Sequence, residues 1–198
     1  MQLGISHNTI IIGLVVVLFI VGIITIIIWK KLDVKLGSKK AFFYAIIAYW
    51  IPSIMLLFIT TFEVGLIVIS VMGLGFGGML YFVYLIIADV IDADELKTGV
   101  RREGTFFGVT NFFMRLAGVL SILTIGLVFS GLGWIDSALY AASGDVIFGL
   151  RMLMFVFPTI AIAIMIISLY FYPFSKQRVD EMKEKLEELH KSKLKLVQ

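Results

Sequence analysis

Of the 198 residues, 60% are hydrophobic and only 16% charged, and the mean hydropathy is +1.03. A water-soluble domain of this size cannot hide that much apolar surface, so the solvent for most of the chain is lipid. The absence of Cys excludes a disulfide framework, a thiolate metal site and a thiol nucleophile, and a net charge of +3 gives no sign of a nucleic-acid partner.

A membrane helix needs about 20 mostly apolar residues. Five stretches qualify: Thr9–Trp29, Ala41–Thr61, Val64–Ala88, Thr105–Gly131 and Val146–Tyr172. Period-two alternation is absent, which argues against a β-barrel. Helices are the other way to satisfy a lipid-immersed backbone, so the expected fold is an all-α integral membrane protein. The opening "MQLGISHN" lacks the basic start of a signal peptide.

After the first span comes "KKLDVKLGSKK", Lys30–Lys40, with five Lys. Pro52 in the second span and Pro158 in the fifth are candidate kinks. The third span carries "GLGFGG", Gly73–Gly78. As G-x-G-x-x-G it would need a strand–turn–helix setting to bind a dinucleotide, and a membrane helix does not provide one. As G-x-x-x-G, Gly73 and Gly77 form a face for close helix packing. Tyr81 and Tyr84 continue that face, either stacking on a sugar or anchoring at the interface.

"ADVIDADELKTGVRREG", Ala88–Gly104, then packs eight charged side chains into seventeen residues. It reads as a loop between two apolar walls. The fourth span follows, with Gly104, Gly108, Asn111, Arg115 and Gly118 spaced to share one helix face. That face suits either a substrate path or plain packing. Arg115 lies near the bilayer centre, where a charge costs about 2.5–3.5 kcal/mol on insertion scales. It calls for a protein interior or a water cavity with an acidic partner, the alternative being a long reach to an interface.

The linker "LGWIDSALYAASGD" has no basic residue, and the tail after Tyr172 has seven. Fifteen of the seventeen Lys and Arg fall on one side of a five-span topology, and Arg115 and Arg151 lie inside spans. By the positive-inside rule the N-terminus is outside and the C-terminus cytoplasmic. In the tail, residues 173–198, Val179, Met182, Leu186 and Leu189 form one apolar stripe, an amphipathic helix. Glu181–Lys185 and Glu187–Lys191 are i,i+4 pairs in the favourable order. His7 and His190 sit far apart and make no metal site. No catalytic triad, carboxylate pair or phosphate loop is present, so an enzyme is not expected.

Three stretches together resemble the glycoside–pentoside–hexuronide:cation symporters, the melibiose-permease branch of the major facilitator superfamily. Asp89, Asp92, Glu95, Lys97, Arg101 and Glu103 occupy the places of that family's A-D-x-x-D-x-x-E-x-K-x-x-x-R-x-E pattern between helices ten and eleven. Lys30–Lys40, with Asp33, resembles the linker between helices eight and nine. Gly149–Pro173, "GLRMLMFVFPTIAIAIMIISLYFYP", resembles helix twelve. The resemblance implies that the five spans are helices eight to twelve and that an N-terminal bundle of seven is missing. It also implies cation-coupled symport of a sugar-like solute with Na⁺ or H⁺, in a multi-pass protein of the cell membrane. Asp33 and the six charged residues of the pattern would form a cytoplasmic gate. Arg115 stands where the family usually has Lys, with Thr110, Asn111 and Met114 matching cavity-lining positions and Tyr81 a looser match. Gly108 and Gly118 would pack helices, as Gly73 and Gly77 would. The alternative is a non-transporting packing subunit or a truncated remnant.

Overall fold

The computed structural model describes residues 7–59, 61–131 and 144–197. All regular structure among them is helical: α1 (His7–Leu36), α2 (Ser38–Ile54), α3 (Phe62–Thr98), α4 (Glu103–Gly131), α5 (Gly144–Phe171) and α6 (Lys176–Val197). A single 3₁₀ turn, Met55–Leu57, closes α2. Helices α1 to α5 are each long and apolar enough to cross a membrane. The side chain of His7, the opening residues 1–6 and most of the linker "LGWIDSALYAASGD" lie outside the described residues.

Gly37 and Gly99 make the two tight breaks. Their φ angles of 81° and 71° lie in the left-handed region, where a side chain clashes with its own backbone. The N–H of Gly37 donates to Asp33 O at 2.8 Å and that of Gly99 to Glu95 O at 2.8 Å, each satisfying a carbonyl of the helix that ends there. At α5 the stop is Pro173, which lacks an N–H and pushes Tyr172 out of helical geometry.

The apolar count ends the third span at Ala88, but α3 runs on to Thr98. The charged stretch read as a loop is therefore helical through its first eleven residues, and only a short turn from Gly99 to Arg102 separates α3 from α4. Asp, Glu, Ala, Leu and Lys all tolerate a helix, and nothing breaks it before Gly99. The 37 residues of α3 extend about 55 Å, against roughly 30 Å of hydrocarbon. Its charged end stands clear of the lipid tails.

The chain divides into two compact units. The first comprises Met1–Val83 and Met154–Tyr172. Here the glycines of α3 let two helices approach on different faces. A Cβ on Gly73 would come within 3.0 Å of Leu18 O, and one on Gly77 would overlap the Gly22 carbonyl, both on α1. A Cβ on Gly75 would overlap the backbone of Tyr49 on α2. Trp29 Nε1 donates to Leu74 O at 2.7 Å, and the Trp29 and Phe42 rings pack on Phe82, which is fully buried. α5 is tied in by Trp50 Nε1, donating to Thr159 Oγ1 at 3.1 Å, and by Lys39 Nζ, donating to Tyr170 O at 3.0 Å and Tyr172 O at 2.7 Å. The outward face of α1 is apolar, with Ile23, Ile24 and Ile27 all exposed, as a lipid-facing helix requires.

The second unit comprises Tyr84–Leu153 and Pro173–Gln198. Within it α6 buries Val179, Met182 and Leu186. Helix α4 is exposed along nearly its whole described length, and a Cβ on Gly104, Gly108 or Gly118 would meet nothing within 4 Å.

Candidate functional site

The charged residues at the end of α3, in the turn and on α6 converge on one carboxylate. Glu95 has a side chain only 3% exposed. Its Oε2 accepts from Arg101 Nη1 at 2.9 Å, and its Oε1 faces His190 Nε2 at 2.8 Å. A carboxylate oxygen can only accept, so the proton of that contact sits on Nε2. Lys193 Nζ lies 3.6 Å from the same oxygen and donates to Gly99 O at 2.7 Å. Two cations and one imidazole N–H, from the turn and the tail helix, thus share one buried anion.

Arg101 is the hub on the other side. It also donates from Nη1 to Asp92 Oδ1 at 2.9 Å and from Nε to Glu103. Glu103 first, then Glu95 and Asp92, hold its guanidinium protonated well above the ordinary arginine range. Beside it, Arg102 makes a two-pronged pair with Asp94, one arm being Nε to Oδ2 at 2.9 Å. Thr98 Oγ1 donates to Asp94 O at 2.9 Å and closes the last turn of α3. Among the described residues no buried side-chain polar atom lacks a partner, and no His, Cys, Asp and Glu cluster could hold a metal ion.

Of the residues marked as a gate, the structure brings together Asp92, Glu95, Arg101 and Glu103. Asp89 is buried at 2% exposure, one helical turn before Asp92. Lys97 is exposed, and Asp33 lies in the last turn of α1, in the first unit. His190 and Lys193 were not anticipated. They lie 95 and 98 positions from Glu95 in sequence, and no spacing rule connects them.

The residues expected to line a solute path lie elsewhere. Asn111, Met114 and Arg115 are exposed on α4, and Thr110 donates back to Phe106 O at 2.9 Å. Tyr81 belongs to the first unit, where its ring meets Phe82 edge-on at 5.0 Å.

Comparison with known proteins gives this geometry its setting. The sequence pattern of the family described as MFS/sugar transport protein matches residues 3–176. The uncharacterized symporter YnaJ of Bacillus subtilis is 25% identical over 79% of this chain and 34% of its own length. The sphingosine-1-phosphate transporter MFSD2B of Xenopus tropicalis is 31% identical over 83% of this chain and 32% of its own length. The uncharacterized symporter YjmB of Bacillus subtilis is 31% identical over 41% of this chain and 17% of its own length. The chain thus spans a third or less of the length of these relatives, apart from the 34% of YnaJ. With five helices able to cross a membrane and a family match over most of its length, the chain belongs to the MFS/sugar transport protein family, as a multi-pass membrane protein of a transporter family and not an enzyme.

Proposed function

We propose that α1 to α5 serve as helices eight to twelve of a secondary transporter that moves a sugar-like solute with Na⁺ or H⁺ by alternating access. The N-terminus lies outside and α6 in the cytoplasm. Two of the relatives carry the name symporter, which supports cation coupling, and MFSD2B is named for a phosphorylated lipid, so solutes in this family extend beyond sugars.

The observation that carries this reading is the shared carboxylate. A gate has to hold when closed and release when water enters. Glu95 is buried, but Arg101, His190 and Lys193 are 41%, 48% and 44% exposed, so water already reaches every partner. Exposed pairs of this kind are worth about 0–1 kcal/mol each. Two of them hold α6 against the end of α3, and neither is too strong to break in a cycle. The open face of α4, with Asn111 and Arg115 between glycines, is the wall the solute would pass, opposite a second helical bundle.

The test is reconstitution in liposomes with labelled glycosides under a Na⁺ or pH gradient. The 198-residue chain by itself gives no gradient-dependent uptake. Co-expressed with the seven N-terminal helices of a relative such as YnaJ, it does. Uptake by the chain alone, or none by the pair when both are folded in the membrane, would defeat the proposal.

The orientation has its own check. Protease added to sealed right-side-out vesicles leaves α6 intact, and in inside-out vesicles it cuts among Lys183, Lys185 and Lys191. The reverse pattern would invert the topology.

A further inference from the structure

The transport reading leaves one groove of the first unit unused. It lies where α2 begins and α5 ends, encloses about 460 Å³, and is lined by Phe43, Tyr44, Ile166 and Leu169 together with Lys39 and Lys40. The spans Ser38–Leu57 and Phe148–Phe171 both stop here, so the groove sits where hydrocarbon gives way to headgroups. Tyrosines favour that level, and Tyr44 is half exposed there.

Its two lysines differ in what they already hold. Lys39 gives two protons to Tyr170 O and Tyr172 O. An ammonium carries three, so the carbonyls fix its place and leave one proton to donate. Lys40 is exposed and has no hydrogen bond or ion pair among the described residues. Among the described residues no carboxylate lines the groove. The first turn of α2 has no acidic residue and no capping side chain, so both positive charges sit at the end of a helix that already carries partial positive charge.

We propose that this groove binds an anionic phospholipid. One acyl chain lies along Phe43, Tyr44, Ile166 and Leu169, and the phosphate sits between Lys39 and Lys40. A free anion would leave the apolar wall uncovered. A zwitterionic lipid would bring its own cation to the lysines. Only an anionic lipid matches both halves of the lining. A lysine near an anionic headgroup favours it about fivefold, so two give a preference of roughly 25-fold over a zwitterionic lipid.

The purified full chain is titrated with phosphatidylglycerol and with phosphatidylcholine of the same acyl chains, and retained lipid is read by native mass spectrometry. One phosphatidylglycerol is held at about 25-fold lower concentration than phosphatidylcholine. Lys40→Gln, at a side chain that bonds to nothing among the described residues, weakens retention about fivefold. Ile166→Trp fills the groove without changing charge and removes retention. Lys31→Gln, which takes the same charge from α1, changes nothing. Four results would overturn the proposal: equal retention of the two lipids, an equal loss with Lys31→Gln, displacement by millimolar inorganic phosphate, or a dimer of the chain in place of the lipid adduct.

Discussion

Arg115→Ala abolishes coupled uptake once a complementary bundle is supplied, and Arg115→Lys keeps part of it. Arg115 lies twelve residues beyond the start of α4 at Glu103. At 1.5 Å per residue that is about 18 Å along the helix, near the middle of the hydrocarbon. The side chain is exposed in this chain, beside glycines with open space around them. A guanidinium at that depth is tolerated only against an acid or in a water-filled cavity. Removing one member of a buried pair costs about 3–5 kcal/mol, because the other charge is stranded. That is about two to four orders of magnitude in rate if the pair is needed at the transition state. Lysine restores the charge but not the planar two-pronged donor, so its rescue is partial. Arg151, near the start of α5, tolerates Ala better, since a long side chain near a helix end reaches the interface. Uptake is compared at matched membrane expression. Equal rates for Arg115→Ala and the parent would make this arginine a packing or snorkelling residue.

Glu95→Ala releases α6. The buried carboxylate is the common partner of Arg101, His190 and Lys193, and without it His190 and Lys193 lose their link to α3, while Arg101 keeps Asp92 and Glu103. The two α6 contacts to Glu95 have half-exposed partners and contribute about 0–1 kcal/mol each, so the net loss is about 1–2 kcal/mol. That opens the tail helix roughly 5- to 30-fold more often. Limited proteolysis of the detergent-solubilised chain reads this directly, as faster cutting at Lys183 and Lys185. Glu187→Ala is the control. It removes an i,i+4 pair with Lys191 in which both side chains are about two-thirds exposed, and it leaves the cutting rate within about twofold. Equal rates for the two variants would mean that α6 is held by its apolar stripe alone.

The places where sequence and structure part company share a cause. Apolarity marks a span, and in α3 it stops at Ala88. A helix stops only where its backbone must, and in α3 that is Gly99, so the charged stretch became an extension of the helix and not a loop. The glycine patterns teach the complementary lesson. Gly73 and Gly77 on α3, and Gly104 and Gly108 on α4, have the same spacing. The first pair lies hard against α1, and the second faces open space. Spacing says that a helix can be approached closely, not that a neighbour exists. The amphipathic stripe of α6 was legible, because its period is local. The contact between His190 and Glu95 was not, because it depends on where two distant helices come to rest.

Lys39 and Trp50 bind partners made long after them. Thr159 follows Trp50 by 109 positions, and Tyr172 follows Lys39 by 133. At a ribosomal rate of about 5–20 residues per second, the gap is roughly 5–25 s. The glycine-mediated contacts among α1, α2 and α3 need only residues before Val83, so these helices can settle together while the remainder is still being synthesised. α5 then docks last onto a surface already formed. Birth order and packing order coincide in this unit, and its assembly is vectorial, with the final helix acting as a late clasp.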